Sequence, residues 1–393
     1  MHNDDSGALL RLYTDRGVTF SHGEGCRLFT PTGKSYLDGT SGYGVALFGY
    51  GNREILAALS QQTLRLTTLH GSFRSPLRER VSRKLRERCS LPDYKVLWTN
   101  SGAEAVEAAL KFAVLTSGKR RFLSFRGGYH GKTLGALSAT PSGKYRQGLE
   151  PLLWEFTFLE LGDESSFETA LNDQFAAVIV EPIQGEGGVL LPPPGFLKRV
   201  RELCTDRGVL LILDEIQSGM GRSGTLLAGD QEGASGDLLL LGKGLSGGIP
   251  AGAVLVHPEV AERIPRLSHT STFGGNPLAC AGTEAVLNLL TEEFLERVVR
   301  LGHSFREGLS ARSPEATVRG KGLMVGVDVG KPRRDHLLKA LQREGVLALP
   351  AGEGTVRFLP PLTIAREEIQ EILDAWSRAW EATLRLCNAS TDA

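Results

Sequence analysis

Charge of one sign is missing from this 393-residue chain: 45 Lys and Arg balance 45 Asp and Glu, so no net field favours nucleic acid or an anionic membrane. Cysteine pairing is missing too. The five cysteines (Cys26, Cys89, Cys204, Cys280, Cys387) are scattered without a C-x-x-C pair, which points to reduced, mostly buried thiols in a cytosolic protein. No His or Cys spacing suits a metal. No apolar run is long enough to cross a bilayer, and Val209–Leu213 falls far short. The first residues, Met1-His2-Asn3-Asp4-Asp5, lack the basic start and apolar stretch of a signal peptide, so the expected location is the cytoplasm. There is no internal repeat and no low-complexity tract. What remains is an ordinary soluble globular composition, long enough for about two domains.

Glycine, by contrast, is abundant, with 48 residues that gather at loop positions, where backbone must approach a ligand or turn tightly. Phe29–Asp38 reads as a hairpin with a Thr-Gly turn, and Ser41–Gly51 as a glycine- and aromatic-bearing loop. Residues 52–70 and 75–90 read as helices, the second with Pro76 in its first turn after Ser75. Strand-like runs follow at Lys95–Thr99, Arg121–Phe125, Phe156–Leu161, Ala176–Val180, Val209–Leu213, Leu238–Leu241 and Ala253–Val256. Amphipathic stretches such as Ala103–Leu115 and Gly195–Arg207 separate most of them. Short apolar strands alternating with helices predict an α/β fold with a mainly parallel sheet covered on both faces, whose ligands bind beyond the carboxyl ends of the strands. From about residue 280 the alternation stops. A helix over 291–311 capped by Thr291, strands at Val325–Val329 and Val356–Leu359, and a last helix capped by Thr363 predict a smaller α+β domain, with Trp376 and Trp380 as core or interface residues.

Four motifs fall at strand ends. Thr99-Asn100-Ser101-Gly102-Ala103-Glu104 turns from strand to helix and offers N–H groups and a helix dipole to an anion, although a capped helix without a ligand explains it equally well. Phe125-Arg126-Gly127-Gly128-Tyr129-His130-Gly131-Lys132 sets an aromatic between glycines, where it can lie on a planar ring or be incidental to a turn. In Glu181-Pro182-Ile183-Gln184-Gly185-Glu186, two carboxylates flank a glycine turn, where they could pair with arginines or orient a loop, or belong simply to a solvated loop. Asp214 directly follows buried apolar residues and must be paired to stay ionised, by a metal, a protonated ring nitrogen or a structural ion pair. Lys243, in Leu-Gly-Lys-Gly-Leu-Ser-Gly-Gly (241–248), is on its own a lysine that could simply be solvated. Together these residues offer an anion cradle, a stacking aromatic, a buried carboxylate and an amine, which are the needs of pyridoxal phosphate (PLP).

On the motifs SGAEAVEAALK, GGYHGKTLGALSAT, EPIQGEGGV, LILDEIQSGMGRSG, GKGLSGG and STFGGNPLAC, the chain resembles the class III aminotransferases of PLP fold type I over roughly residues 15–385. Among them it is most similar to the ornithine, acetylornithine and putrescine enzymes. The resemblance implies a large PLP-binding domain over 51–280, a small α+β domain over 281–393, and an N-terminal segment, 1–50, packing with the small domain. It implies that Lys243 forms the internal aldimine and shuttles a proton, and that Asp214 keeps the pyridine nitrogen protonated. Gln217 would bond the phenolic oxygen and Tyr129 stack on the ring, while Ser101, Gly102 and Ala103 receive the phosphate. His130 and Glu181 would belong to the same cofactor wall. Thr272 would reach the cofactor of a neighbouring subunit, making a homodimer the active unit.

For substrates, the resemblance assigns Arg357 to the α-carboxylate of glutamate and 2-oxoglutarate. It assigns Glu186 to covering that arginine when a terminal amine is presented instead, and Tyr43 to the substrate-facing wall. Lys132 stands where ornithine and acetylornithine enzymes carry arginine and putrescine-type enzymes carry lysine. An ammonium is a point charge and not a planar fork, so this exchange points away from acetylornithine and toward an ω-amine donor. The implied activity is ping-pong transamination from the terminal amine of a diamine or basic amino acid to 2-oxoglutarate, without a metal. The alternatives are a same-fold aminomutase, racemase or decarboxylase, which needs no external keto acid, or a non-catalytic PLP-binding protein.

Overall fold

The computed structural model describes residues 9–391, with side chains as far as residue 386. Near the N-terminus β1 (His22–Glu24), β2 (Arg27–Phe29) and β3 (Ser35–Asp38) form an antiparallel meander, with the expected turn between β2 and β3 closed by Gly33 N–H to Thr30 O at 3.0 Å. The helix read over 52–70 ends earlier, at Thr63. Leu64 beyond it is exposed, and Arg78 draws residues 69–73 into an irregular course by donating to Leu69 O (2.7 Å) and Phe73 O (3.3 Å). The next helix, Pro76–Arg88, starts as read, with Ser75 Oγ accepting the Arg78 N–H.

The central sheet contains β4 (Lys95–Thr99), β5 (Arg121–Phe125), β6 (Phe156–Leu159), β7 (Phe175–Val180), β8 (Leu210–Asp214), β9 (Leu238–Leu241) and β10 (Gly252–Val256), in the order β4-β10-β9-β8-β7-β5-β6. β10 alone runs against the direction of the other six strands. Because both β4 and β9 oppose β10, β4 points the same way as the parallel block, and the carboxyl ends of β4, β5, β7, β8 and β9 all open on one edge. Alternate residues supply opposite faces. Val178, Val180, Leu211, Leu213, Leu239 and Leu241 belong to one apolar core, whereas Ala177, Ile179, Ile212, Leu238 and Leu240 belong to the other. This period of two, with every residue apolar, is what burial on both faces of a parallel sheet requires.

Toward the C-terminus the sheet β11 (Thr317–Lys321), β12 (Met324–Asp328), β15 (Thr355–Phe358), β14 (Leu349–Ala351) is antiparallel, and β13 (Val346–Leu347) joins the N-terminal meander in parallel beside β3. The two ends of the chain therefore share a sheet. The Pro277–Leu289 helix, within which residue 280 falls, lies against the Arg53–Thr63 and Pro76–Arg88 helices. Thr291 caps its helix as expected. Thr363 does not: the last helix begins at Arg366, where the Glu368 carboxylate accepts the Ala365 N–H at 2.9 Å. Thr363 sits two residues too early for that role, and its hydroxyl meets Cys26 Sγ instead. Trp376 and Trp380 are buried and stacked on each other. Cys26, Cys89, Cys204 and Cys280 are buried free thiols, and the Cys387 side chain lies outside the described residues. No helix among the described residues is long and apolar enough to cross a membrane.

Candidate active site

The loops leaving that sheet edge enclose a cavity of about 480 Å³. Lining it are Gly102 and Ala103 from the β4 end, Tyr129, His130 and Lys132 from the β5 end, Glu181 from the β7 end, Asp214 and Gln217 from the β8 end, and Lys243 from the β9 end. Residues named from separate strand ends thus share one cavity.

Each wall has a local cause. Gly102 opens the 16-residue Gly102–Ser117 helix, capped by Ser101 Oγ accepting the Glu104 N–H at 3.2 Å, so its first N–H groups face the cavity. A Cβ on Gly102 would come within 2.8 Å of the Ile216 side chain, so only glycine keeps backbone and Ile216 this close. Buried Asp214 ends β8. Its Oδ2 meets His130 Nδ1 at 2.7 Å, and its Oδ1 accepts the Ile216 N–H at 3.1 Å. His130 is held in turn by Ser124 Oγ, 3.4 Å from Nε2. Glu181 joins two loops, accepting the Tyr129 N–H at 2.8 Å and the Gly185 N–H at 3.2 Å. Burial pushes its carboxyl up to about 7, with Asp214 adding to the rise and His130 and the two N–H groups opposing it. Burial likewise pushes the Tyr129 hydroxyl up to about 12.

Lys243 is partly buried and stands at a positive φ of 45°, a left-handed conformation that costs a non-glycine residue about 1–2 kcal/mol. Among the described residues no hydrogen bond or ion pair holds its amine. Burial lowers its pKa, Arg357 adds to that, and Asp214, Glu186 and Glu181 oppose it. An amine placed at some backbone cost, left unpaired and shifted toward its neutral form is suited to attack a carbonyl or take a proton.

Arg357 reaches the same region from β15. It is fully buried, and Nη1 donates to Gln217 Oε1 at 2.8 Å. Nη2 lies 2.7 Å from Glu186 Oε1, yet the contact lacks hydrogen-bond alignment, so both Nε and Nη2 keep unspent donors along one edge of the fork. The Tyr43 ring centroid is 5.9 Å from this guanidinium. Tyr43 belongs to a left-handed turn, Ser41–Gly44, in which all four residues have positive φ. Buried Asp38 holds the turn by accepting from Thr40 N (2.8 Å), Thr40 Oγ1 (2.6 Å) and Tyr50 OH (2.7 Å).

Lys132 sits at the exposed rim, its amine 4.5 Å from the Tyr145 ring centroid. Thr272 is exposed and does not line its own chain's cavity. The sequence reading missed Gly131, Thr133 and Ile216, which also line it. Ile216 had a signal, since it follows Asp214 by two residues and opposes Gly102, but an isoleucine beside a carboxylate reads first as core.

A helix N-terminus for a phosphate, a buried carboxylate for a ring nitrogen, an aromatic wall and an unpaired amine, gathered in one cavity, match the chemistry of PLP. The family model for aminotransferase class-III matches residues 13–380. The chain is 40% identical over 377 residues to the acetylornithine aminotransferase of Methanopyrus kandleri, covering 95% of this chain and 97% of that one. It is 38% identical to ornithine aminotransferase 2 of Staphylococcus aureus, covering 92% and 94%. The ornithine aminotransferase from Toxoplasma gondii, whose structure shows partial occupancy of PLP at the active site, superposes with a TM-score of 0.92 at 34% identity over 97% of this chain and 93% of that one. This chain therefore belongs to the class III aminotransferases, PLP-dependent enzymes that move amino groups.

Proposed function

We propose that this aminotransferase moves the terminal amine of a basic amino acid or diamine to 2-oxoglutarate in two separate half-reactions. The observation that carries the reading is the Arg357–Glu186 pair. A fully buried arginine keeps two unspent donors on one edge, and among the described residues the only acid paired with that edge is half-buried Glu186. A planar fork with free Nε and Nη2 matches a carboxylate bidentately. With Glu186 in place the charge is covered and an amine end is admitted. With Glu186 moved aside, Arg357 receives the α-carboxylate of the keto acid.

PLP, when bound, supplies the carbonyl and the electron-accepting ring. The chain's residues do the rest. The Gly102 and Ala103 N–H groups would anchor the phosphate. Asp214, fixed by His130 and the Ile216 N–H, would hold a proton on the ring nitrogen. Tyr129 and Ile216 would confine the ring, and the Gln217 amide NH₂, its Oε1 being engaged by Arg357, would be left to donate to the phenolic oxygen. Lys243 Nζ takes the proton from the amine-bearing carbon and returns it, aided by its lowered pKa. Glu181 ties the Tyr129 and Gly185 loops around the site.

Lys132 refines the donor. Although putrescine-type enzymes also carry lysine at this position, an ammonium at the exposed rim attracts a carboxylate and repels a second cation, so a basic amino acid entering by its side-chain amine suits the cavity better than a diamine. Thr272 is assigned to the cofactor of a second copy. In support, its loop is anchored at Asn100 Nδ2 through Ser271 Oγ (3.2 Å), while Phe273 and Leu267 are 57% and 91% exposed, as an uncovered subunit interface would be. The buried free cysteines suit a reducing cytoplasm. Steady-state rates with ornithine, acetylornithine, putrescine and cadaverine test the reading. Ornithine with 2-oxoglutarate should be turned over faster than either diamine, and omission of the keto acid should stop product formation. Continued product without a keto acid would establish a mutase or decarboxylase instead.

A further inference from the structure

The loop after β8 carries Arg222, a buried guanidinium that the chemistry above leaves unused. Among the described residues no carboxylate pairs with it. Nη1 donates to two backbone oxygens, Leu323 O at 2.9 Å and Pro360 O at 2.6 Å, and Nη2 is buried without a partner. The Arg222 carbonyl in turn accepts the Leu323 N–H at 3.1 Å. Burial pushes the guanidinium down to about 9, opposed only by the field of Asp38. Desolvating a cation without a counter-ion is costly, and an apolar side chain of similar volume usually serves stability as well or better. Filling space is thus a poor reason for an arginine here.

Its partners suggest a better one. Leu323 directly precedes β12, the strand beside β15. Pro360 lies three residues beyond Arg357, on the exit of β15. That exit is gripped from its other side by Ser41 Oγ, which donates to Leu359 O at 2.6 Å, and by Gly39 O, which accepts the Leu359 N–H at 2.7 Å. Gln217, on the same loop as Arg222, accepts from Arg357 Nη1. One loop therefore fixes both the strand end that carries Arg357 and the head of the guanidinium itself. We propose that Arg222 is a positioning residue for keto-acid recognition: by clamping Pro360 O and Leu323 O, it sets where Arg357 presents its Nε–Nη2 edge to a substrate carboxylate.

This inference rests on the reading of Arg357 as the carboxylate receptor, and the test separates the two. Holoenzymes carrying Arg222→Met, Arg222→Lys and Arg357→Gln are titrated calorimetrically with glutarate, a dicarboxylate that cannot react. The two half-reactions are also followed separately in single turnovers. Arg222→Met should weaken glutarate about tenfold, short of the ~100-fold that a 1 Å misplacement can cost. It should raise the half-saturating 2-oxoglutarate concentration by a similar factor and leave the donor half-reaction within about twofold. Arg222→Lys, able to reach one carbonyl, should recover part of the loss, and it carries the test alone if the methionine variant does not fold. If Arg357→Gln weakens glutarate and neither Arg222 variant does, the Arg222 inference falls and the Arg357 reading stands. If Arg357→Gln also leaves glutarate unchanged, both fall. Equal loss in both half-reactions together with a lowered melting temperature would make Arg222 scaffold only.

Discussion

Replacing Glu186 by glutamine probes the proposed switch most sharply. In the structure Glu186 Oε1 lies 2.7 Å from Arg357 Nη2, against the edge that a keto acid needs. Interactions of this charged kind are worth about 1.5–3 kcal/mol when well formed. This one is poorly aligned and its carboxylate is 28% exposed, so the lower end applies, about 1.4 kcal/mol after discounting for solvent. A keto acid must displace that carboxylate before it can bind. Glutamine keeps the shape but not the charge, so Glu186→Gln should lower KM for 2-oxoglutarate about tenfold, the factor that corresponds to ~1.4 kcal/mol. Discrimination between terminal and α-amines should fall by a similar factor, because bare Arg357 now accepts α-amino carboxylates from the donor side as well. The assay is initial rate against 2-oxoglutarate at saturating donor, repeated with L-glutamate as competing donor. An unchanged or raised KM would refute the reasoning, since Glu186 would then be supporting the substrate carboxylate and not competing with it.

A Cβ at Gly185 would lie 1.8 Å from Gln217 Oε1, so Gly185→Ala must expel the Gln217 amide and break its bond to Arg357. Denaturant unfolding should register a loss of about 1–3 kcal/mol, with a rise in KM for the keto acid larger than that for the donor. Buried Glu215, bonded to Ser218 Oγ and Gly229 N–H at 2.6 Å each, is pushed by burial up to about 7. The folded state then binds a proton that the unfolded chain has released, so stability falls as pH rises from about 4.5, the carboxyl's ordinary value, through about 7. Urea midpoints at pH 5 and 7.5 should show that decline in the parent and a smaller one in Glu215→Gln; identical slopes would contradict it.

Most of the sheet was legible because burial on both faces writes itself as uninterrupted apolar runs, and Lys95–Thr99, Arg121–Phe125 and Leu238–Leu241 match their strands end to end. The misreadings share a cause. At residues 64–70 apolar spacing continues, but side chains satisfy the carbonyls there, Gln62 Nε2 donating to Leu66 O and Arg78 Nη2 to Leu69 O, and the chain leaves the helix at Thr63. At the last helix, Thr363 is a good cap by type, whereas the Glu368 side chain provides the actual one. In the site, residues anchored to a strand end were readable, since strand ends fix direction. The meeting of Gln217, Glu186 and Arg357 depends on how β15 packs against the β7 and β8 loops. Only the resemblance implied a Glu186–Arg357 partnership, and nothing local in the chain predicted that Gln217 would join it. Arg222 was invisible for the same reason, as its partners are backbone oxygens that no residue type announces.

The central claim is tested most directly by supplying holoenzyme with ornithine labelled with ¹⁵N only at its side-chain amine, together with unlabelled 2-oxoglutarate, and following the glutamate formed by mass spectrometry. The account predicts ¹⁵N in the glutamate amino group, one atom per molecule of donor consumed, continuing over many turnovers and abolished in Lys243→Ala. Glutamate without label, or donor consumed with no glutamate formed, would contradict it.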